Sequence, residues 1–153
     1  MTRTKVIISY SHDDELWRKR VCTFLTVLER EGLVDLWDDG RLRPGEDWLS
    51  RLDEEMLSAR VAVLLISANF LTSAFILEHE VPRIFERHQA GGMIIYPFLI
   101  KPCPWQEVSW LAQLQIRPAN TRALASYRGV KAEEVLTNFA REIAEIAYST
   151  QAS

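Results

Sequence analysis

A short apolar run in the middle of the chain constrains the fold more than any other feature. Residues 60–67 read RVAVLLIS, and every position between the arginine and the serine is apolar. Such an unbroken run is typical of a strand buried on both faces, as in a parallel sheet. Three further stretches predict strands: residues 5–10 (KVIISY), 33–37 (LVDLW) and 93–100 (MIIYPFLI). The run at 60–67 is expected to be the central strand.

Helical patterns fill the intervals between these strands. Apolar residues recur at helical spacing over residues 13–31, 48–59 and 130–148. Gly32 is expected to end the first helix. A further helix is expected directly after the run at 60–67.

The predicted helices begin near residues that favour helix starts. Asp13 or Asp14 is expected to cap the first helix, and Ser67 or Asn69 the helix after the third strand. Pro82 either interrupts that later helix or starts a fresh turn, because proline lacks an N–H group.

Strands that alternate with helices predict an α/β fold with a flavodoxin-like parallel sheet and helices on both faces. Five strands in the order 2-1-3-4-5 are expected, with residues 114–117 as a short fifth edge strand. Ligands bind such sheets beyond the carboxyl ends of the strands, where the strand order reverses. Residues 9–11 and 67–80 are therefore expected to border a crevice, with the loop at 38–48 beside it.

Composition and charge narrow the class of protein. The 153 residues favour one domain, expected over residues 1–148, with residues 149–153 as a polar tail or a truncated linker. A net charge of -3 argues against nucleic acid as a partner. Cys22 and Cys103 lie far apart and indicate neither a disulfide framework nor a metal site. Because the N-terminus turns polar early and no apolar run reaches the roughly 20 residues that span a bilayer, we expect a cytoplasmic protein that does not bind membranes.

Two glutamates follow the third strand, and one of them is a candidate catalytic carboxylate. A glutamate on a helix usually faces solvent, and this reading applies to Glu78 and to Glu80. Glu80, however, has Leu77 and Val81 as apolar neighbours and precedes Pro82. The amino-terminal dipole of a helix would keep a carboxylate there ionised.

The loop at residues 38–47 is flanked by two tryptophans, Trp37 and Trp48. In the commoner case such residues cover the core, and in the other they stack on a flat ring such as adenine or nicotinamide. Arg41 and Arg43 in the loop either bind phosphates or are simply solvated.

Single residues argue against two familiar kinds of site. The Asp13–Asp14 pair with Lys101 is typical of a phospho-acceptor receiver domain, but that site needs an aspartate at the end of the third strand, where Ser67 stands. His79 and the glutamate after it begin a zinc-protease helix motif, but Arg83 replaces its second histidine. No metal site is expected.

Four segments, taken together and in this order, resemble the successive sequence boxes of bacterial Toll/interleukin-1 receptor (TIR) domains. They read VIISYSHDD, VDLWDDGRLRPGEDW, AVLLISANFLTSAFILEHEVP and MIIYPFLIKPCPW. The resemblance covers residues 5–148, and the fold of that family is the flavodoxin-like sheet predicted above.

The resemblance implies an enzyme. Many members of the family cleave NAD at the nicotinamide–ribose bond, giving nicotinamide and linear or cyclic ADP-ribose, and use a glutamate in the helix after the third strand. Glu80 matches that glutamate. Glu78 is the reserve candidate, because many relatives carry Trp-Cys near this point and this chain does not. NAD is expected as a substrate, with no cofactor. The expected substrate-binding residues are Tyr10, Ser11, Asp38, Arg43 and Trp48.

The resemblance also implies partners. Activity in this family often depends on self-association with other TIR domains, and a fused sensor domain is a further expected partner. The first expectation is an NAD-cleaving effector in bacterial defence or virulence. The alternative is a non-catalytic adaptor that binds other TIR domains through the loop at 38–47. A third and weaker reading is a deoxyribosyltransferase-like enzyme, which would act on nucleosides with a similar carboxylate.

Overall fold

The chain folds around one parallel sheet. The structure, a computed structural model, describes residues 2–38 and 48–152. Its strands are β1 (Thr4–Ser9), β2 (Val34–Trp37), β3 (Val61–Ile66) and β4 (Ile94–Leu99). They pair in the order β2-β1-β3-β4, and every pair is parallel. This confirms the predicted α/β class, the parallel sheet and the order of its first four strands.

Helices connect the strands and cover both faces of the sheet. The α-helices are α1 (Glu15–Arg30), α2 (Trp48–Ser58), α3 (Ala68–Leu71), α4 (Val81–Gln89), α5 (Ser109–Ala112) and α6 (Val130–Ala152). A π-helical turn, Ile76–Glu80, leads directly into α4. The last helix continues to Ala152, beyond the predicted end at residue 148. Across the described residues, no helix combines the length and the apolar character needed to cross a bilayer.

Apolar side chains form one core on each face of the sheet. Alternate residues of β3 enter the two cores, and the whole strand is 0 % exposed, as expected of a central strand. Leu25 of α1 and Phe139 of α6 complete one core, while Met56 of α2 and Ile84 of α4 complete the other. Burial of each apolar side chain of this kind contributes about 1.5–3 kcal/mol to folding.

The prediction of a fifth strand over residues 114–117 is wrong. Of these four residues, only Arg117 pairs with β4. Its N–H donates to the Pro97 carbonyl at 2.8 Å, and its carbonyl accepts from the Leu99 N–H at 2.8 Å. N–H groups along a strand alternate in direction, so the Pro97 nitrogen lies on the same outer edge as that of Leu99. Because proline has no N–H, the ladder lacks the donor for the next pair. The sheet therefore has four strands in the described part of the chain.

Of the predicted capping residues, Ser67 caps its helix and Asp14 does not. Ser67 caps α3, since its hydroxyl accepts a hydrogen bond from the Phe70 N–H at 3.0 Å. The Asp14 side chain, by contrast, makes no capping hydrogen bond although Asp14 precedes α1. Asp13 lies in a short 3-10 turn in which its N–H donates to the Ser11 hydroxyl at 3.3 Å. The carboxylate of Asp14 instead crosses the edge of the sheet toward Ser67.

Candidate active site

A cavity of about 470 Å³ lies beyond the carboxyl ends of β1 and β2, next to the segment that follows β3. Its volume falls within the range of small-molecule sites, about 300–1,000 Å³. The position matches the crevice predicted from the strand order. The described residues that line it are Tyr10, Ser11, His12, Asp13, Trp37, Leu52, Ser73, Phe75, Ile76 and Glu80.

The π-helical turn determines which glutamate faces this cavity. Ile76 and Glu80 are four residues apart on one face of the turn, and both are buried, at 1 % and 9 % exposure. Glu78 lies between them on the opposite face and is exposed. Residues two apart on a helix do not share a face, so only one of the two glutamates can reach the cavity. π-Helical turns occur frequently at functional sites.

Ser9 holds the Glu80 carboxylate in place. Ser9 is the last residue of β1 and is 1 % exposed, and its hydroxyl donates to Glu80 Oε1 at 2.9 Å. Hydrogen bonds to an ionised acceptor are stronger and more directional than neutral ones. Ser9 belongs to the segment 9–11 that was expected to border the crevice, but it was not among the predicted substrate-binding residues.

The other walls of the cavity are largely aromatic and apolar. Tyr10 is 5 % exposed, Trp37 is 6 % exposed and Phe75 is half-buried. Aromatic faces attract flat and cationic ligand groups. Among the described lining residues, none is lysine or arginine, whereas Asp13 and Glu80 are both acidic. A positively charged ring therefore suits this part of the cavity better than a phosphate.

The structure brings together three of the predicted site residues. Tyr10, Ser11 and Glu80 all line the cavity. Trp48 is the first residue of α2. Arg43 lies outside the described residues, and so does most of the loop to which it belongs.

Asp38 belongs to an ion network that supports the cavity wall. It is 3 % exposed and is not among the described lining residues. Arg18 Nη1 lies 3.6 Å from Asp38 Oδ2, and the guanidinium lies over the Tyr10 ring, 5.6 Å from its centroid. Arg18 also bonds Glu15, and this hydrogen bond lowers the pKa of the Glu15 carboxyl while raising that of Arg18. The network thus joins α1 to the ends of β1 and β2.

The described residues hold no cluster suited to a metal ion. Nowhere in residues 2–38 and 48–152 do three or more histidine, cysteine, aspartate or glutamate side chains converge as ligands.

A protein-family comparison matches residues 6–134 to the TIR domain. A curated relative, the uncharacterized protein y4lF of Sinorhizobium fredii (strain NBRC 101917 / NGR234), is 29% identical over 142 residues. That alignment covers 93% of this chain and 43% of the relative, so the chain spans less than half the length of the curated protein it matches.

Solved structures of TIR domains align with this chain. The TIR domains of the activated Roq1 resistosome, which directly recognizes the pathogen effector XopQ, align with a TM-score of 0.56 at 24% identity. That alignment covers 90% of this chain and 84% of the other. The TIR domain of the Toll-related receptor TRR-2 from Hydra magnipapillata aligns with a TM-score of 0.48 at 20% identity, over 64% of this chain and 71% of the other. Because the family model matches residues 6–134, which is most of its length, the chain belongs to the TIR domain family.

Proposed function

We propose that this TIR domain cleaves NAD at the nicotinamide–ribose bond, with Glu80 as the catalytic carboxylate. One observation carries the proposal: a buried glutamate, held by the Ser9 hydroxyl at 2.9 Å, lines a cavity that has aromatic walls. A glutamate that served only solubility would be exposed, as Glu78 is.

The chemistry of NAD cleavage suits a single carboxylate. The nicotinamide ring of NAD is cationic, so it leaves with the electron pair of the ribosyl C–N bond and needs no general acid. Departure leaves positive charge on the ribose, as in the oxocarbenium-like transition state of glycoside hydrolysis. Glu80 stabilises that charge electrostatically. Water then adds to the ribosyl carbon and loses a proton, or the adenine of the same molecule adds to give a cyclic product.

The side chains that line the cavity orient the bound NAD. Tyr10 borders the ring-binding part of the cavity, and the Ser11 hydroxyl serves the ribose and phosphate side. Direct substrate contacts by Asp38, Arg43 and Trp48 stay predictions. NAD enters this scheme as the substrate, and no other cofactor is required.

Self-association with other TIR domains belongs to the same proposal. The Roq1 TIR domains, to which this fold is similar, were solved in an assembled resistosome. We infer that turnover per molecule rises with protein concentration. The adaptor alternative predicts the same association without release of nicotinamide, and a deoxyribosyltransferase-like enzyme predicts cleavage of nucleosides instead.

A nicotinamide-release assay on Glu80→Gln tests the assignment. Glutamine preserves the shape of the side chain and can accept the Ser9 hydrogen bond, but it removes the charge. Loss of one preorganised electrostatic group of this kind lowers turnover by about 10²–10³. The matched control is Glu78→Gln, an isosteric change two residues away at an exposed position, which should leave turnover unchanged.

The assay separates the alternatives when it is run over a range of protein concentrations with NAD and with nucleosides. Near-normal turnover of the Glu80→Gln variant would remove the catalytic assignment. A wild-type protein that self-associates and releases no nicotinamide at any concentration would favour the adaptor. Cleavage of nucleosides but not of NAD would favour the third reading.

A further inference from the structure

A cluster of charged and polar side chains surrounds the buried Asp14 carboxylate, beside the cavity but without lining it. Asp14 is 1 % exposed, and its two carboxylate oxygens accept three hydrogen bonds. Ser67 donates to Oδ2 at 2.5 Å, Asn69 donates to Oδ1 at 2.9 Å, and the Lys101 ammonium lies 2.5 Å from Oδ1. None of these four residues lines the cavity.

The cluster joins the carboxyl ends of three strands. Asp14 belongs to the turn after β1, Ser67 and Asn69 begin the segment after β3, and Lys101 follows β4. Separating the Asp14 carboxylate from these donors is costly, because its charge would be left buried without a partner, whereas the Lys101 side chain is 32 % exposed. The three connections are therefore fixed relative to one another.

Two of these connections, the ones after β1 and β3, contain residues that line the cavity. The Asp14 N–H donates to the Ser11 carbonyl at 2.8 Å, which ties Asp14 to the lining residues Ser11 to Asp13. On the other side the Ser67 hydroxyl caps α3 through the Phe70 N–H, and the chain runs from there to Glu80. The Ser67 hydroxyl thus takes part in both the cap and the bond to Asp14.

We propose that Asp14 is a positioning residue, which fixes the wall after β1 and the segment carrying Glu80 at their working separation through Ser67, Asn69 and Lys101. This inference rests on the proposed function for its effect on turnover. Asp14 touches no substrate in this arrangement. It acts through the backbone on either side of the cavity.

The same geometry argues against a phospho-acceptor role for the cluster. Ser67 occupies the place of the acceptor in a receiver site, but it is 0 % exposed and its hydroxyl is engaged on both sides. The Asp14 carboxylate, with three donors around it, is satisfied within the protein. The cluster is an internal tie between strands.

The test combines turnover with hydrogen exchange in the Asp14→Asn variant. Asparagine keeps the size of the side chain and removes the charge that pairs with Lys101. A displacement of reacting groups by about 1 Å lowers turnover up to about 100-fold, so we expect kcat for nicotinamide release to fall about 10- to 100-fold with KM changed less than about threefold. Amide exchange should rise over residues 67–80 and 11–13 and stay unchanged in α6. The Lys101→Arg variant keeps the positive charge and should retain kcat.

The control is another buried carboxylate, Glu55, whose Oε2 lies 2.6 Å from Lys5 Nζ at the opposite end of β1 and whose Oε1 pairs with Arg51. Glu55→Gln should lower the melting temperature without changing kcat or exchange over residues 67–80. If Asp14→Asn lowers only the melting temperature, as the control does, Asp14 has no positioning role and the inference is wrong. If the wild type releases no nicotinamide, the proposed function fails, and exchange over residues 67–80 alone decides the inference.

Discussion

Removing the Ser9 hydroxyl tests whether the Glu80 carboxylate is held as the structure shows. In the Ser9→Ala variant the backbone of β1 is unchanged and no bulk is added. The buried Oε1 of Glu80 loses a donor that lies 2.9 Å away. Ser9 and Glu80 are 1 % and 9 % exposed, so water replaces the missing donor poorly.

The magnitude follows from the charge on the acceptor. A hydrogen bond to a charged group contributes about 1.5–3 kcal/mol to stability, and a neutral one about 0.5–1.5 kcal/mol. Ser9→Ala should therefore lower the free energy of unfolding by about 1.5–3 kcal/mol. For a domain of this size that corresponds to a fall in melting temperature of about 3–12 °C.

A double-mutant cycle measured by urea denaturation isolates the contact. In a Glu80→Gln background the same serine donates to a neutral amide oxygen, so Ser9→Ala should cost about 1 kcal/mol less there than in the wild type. Equal losses in the two backgrounds would show that Glu80 is not a charged acceptor for Ser9. A loss below about 0.5 kcal/mol in both would show that the contact is not formed in solution.

Two further predictions concern the core and the pH dependence of stability. Leu65 is 0 % exposed on the central strand, so Leu65→Ala should lower the free energy of unfolding by about 2–5 kcal/mol, whereas the 70 % exposed Leu57 should tolerate alanine within about 0.5 kcal/mol. Burial raises the pKa of Asp14, but hydrogen bonds from Lys101, Ser67 and Asn69 outweigh it and hold that pKa below its ordinary value of 3.8. A carboxyl whose pKa is lowered by folding stabilises the protein above the unfolded pKa and loses that contribution as pH falls through the folded value. The stability difference between wild type and Asp14→Asn should therefore be full at neutral pH and should shrink below about pH 4.

Urea denaturation at several pH values checks both predictions. If alanine lowered the free energy of unfolding equally at Leu65 and at Leu57, the result would contradict the packing of β3. A stability difference between wild type and Asp14→Asn that stays constant or grows as pH falls would contradict a lowered pKa of Asp14 in the folded protein. Glu55→Gln provides a reference for buried carboxylates away from the cavity.

The sequence alone determined the class of fold, the order of four strands and the segments that border the cavity. A strand buried on both faces needs an apolar side chain at almost every position, so runs such as residues 61–66 are visible without any structure. Parallel strands in this order place their carboxyl ends at one edge, which is why Tyr10, Ser11 and Glu80 could be grouped before their contacts were known.

Only the tertiary structure decided which neighbours the polar side chains meet. Residues 114–117 look like a strand, but pairing fails because their register sets them against Pro97, and no local pattern reveals a register. The sequence around Asp14 is typical of a helix cap, yet its carboxylate accepts a hydrogen bond from Ser67, 53 positions away. The choice between Glu78 and Glu80 depends on the rotation of one helical turn over the sheet, and packing against the core sets that rotation.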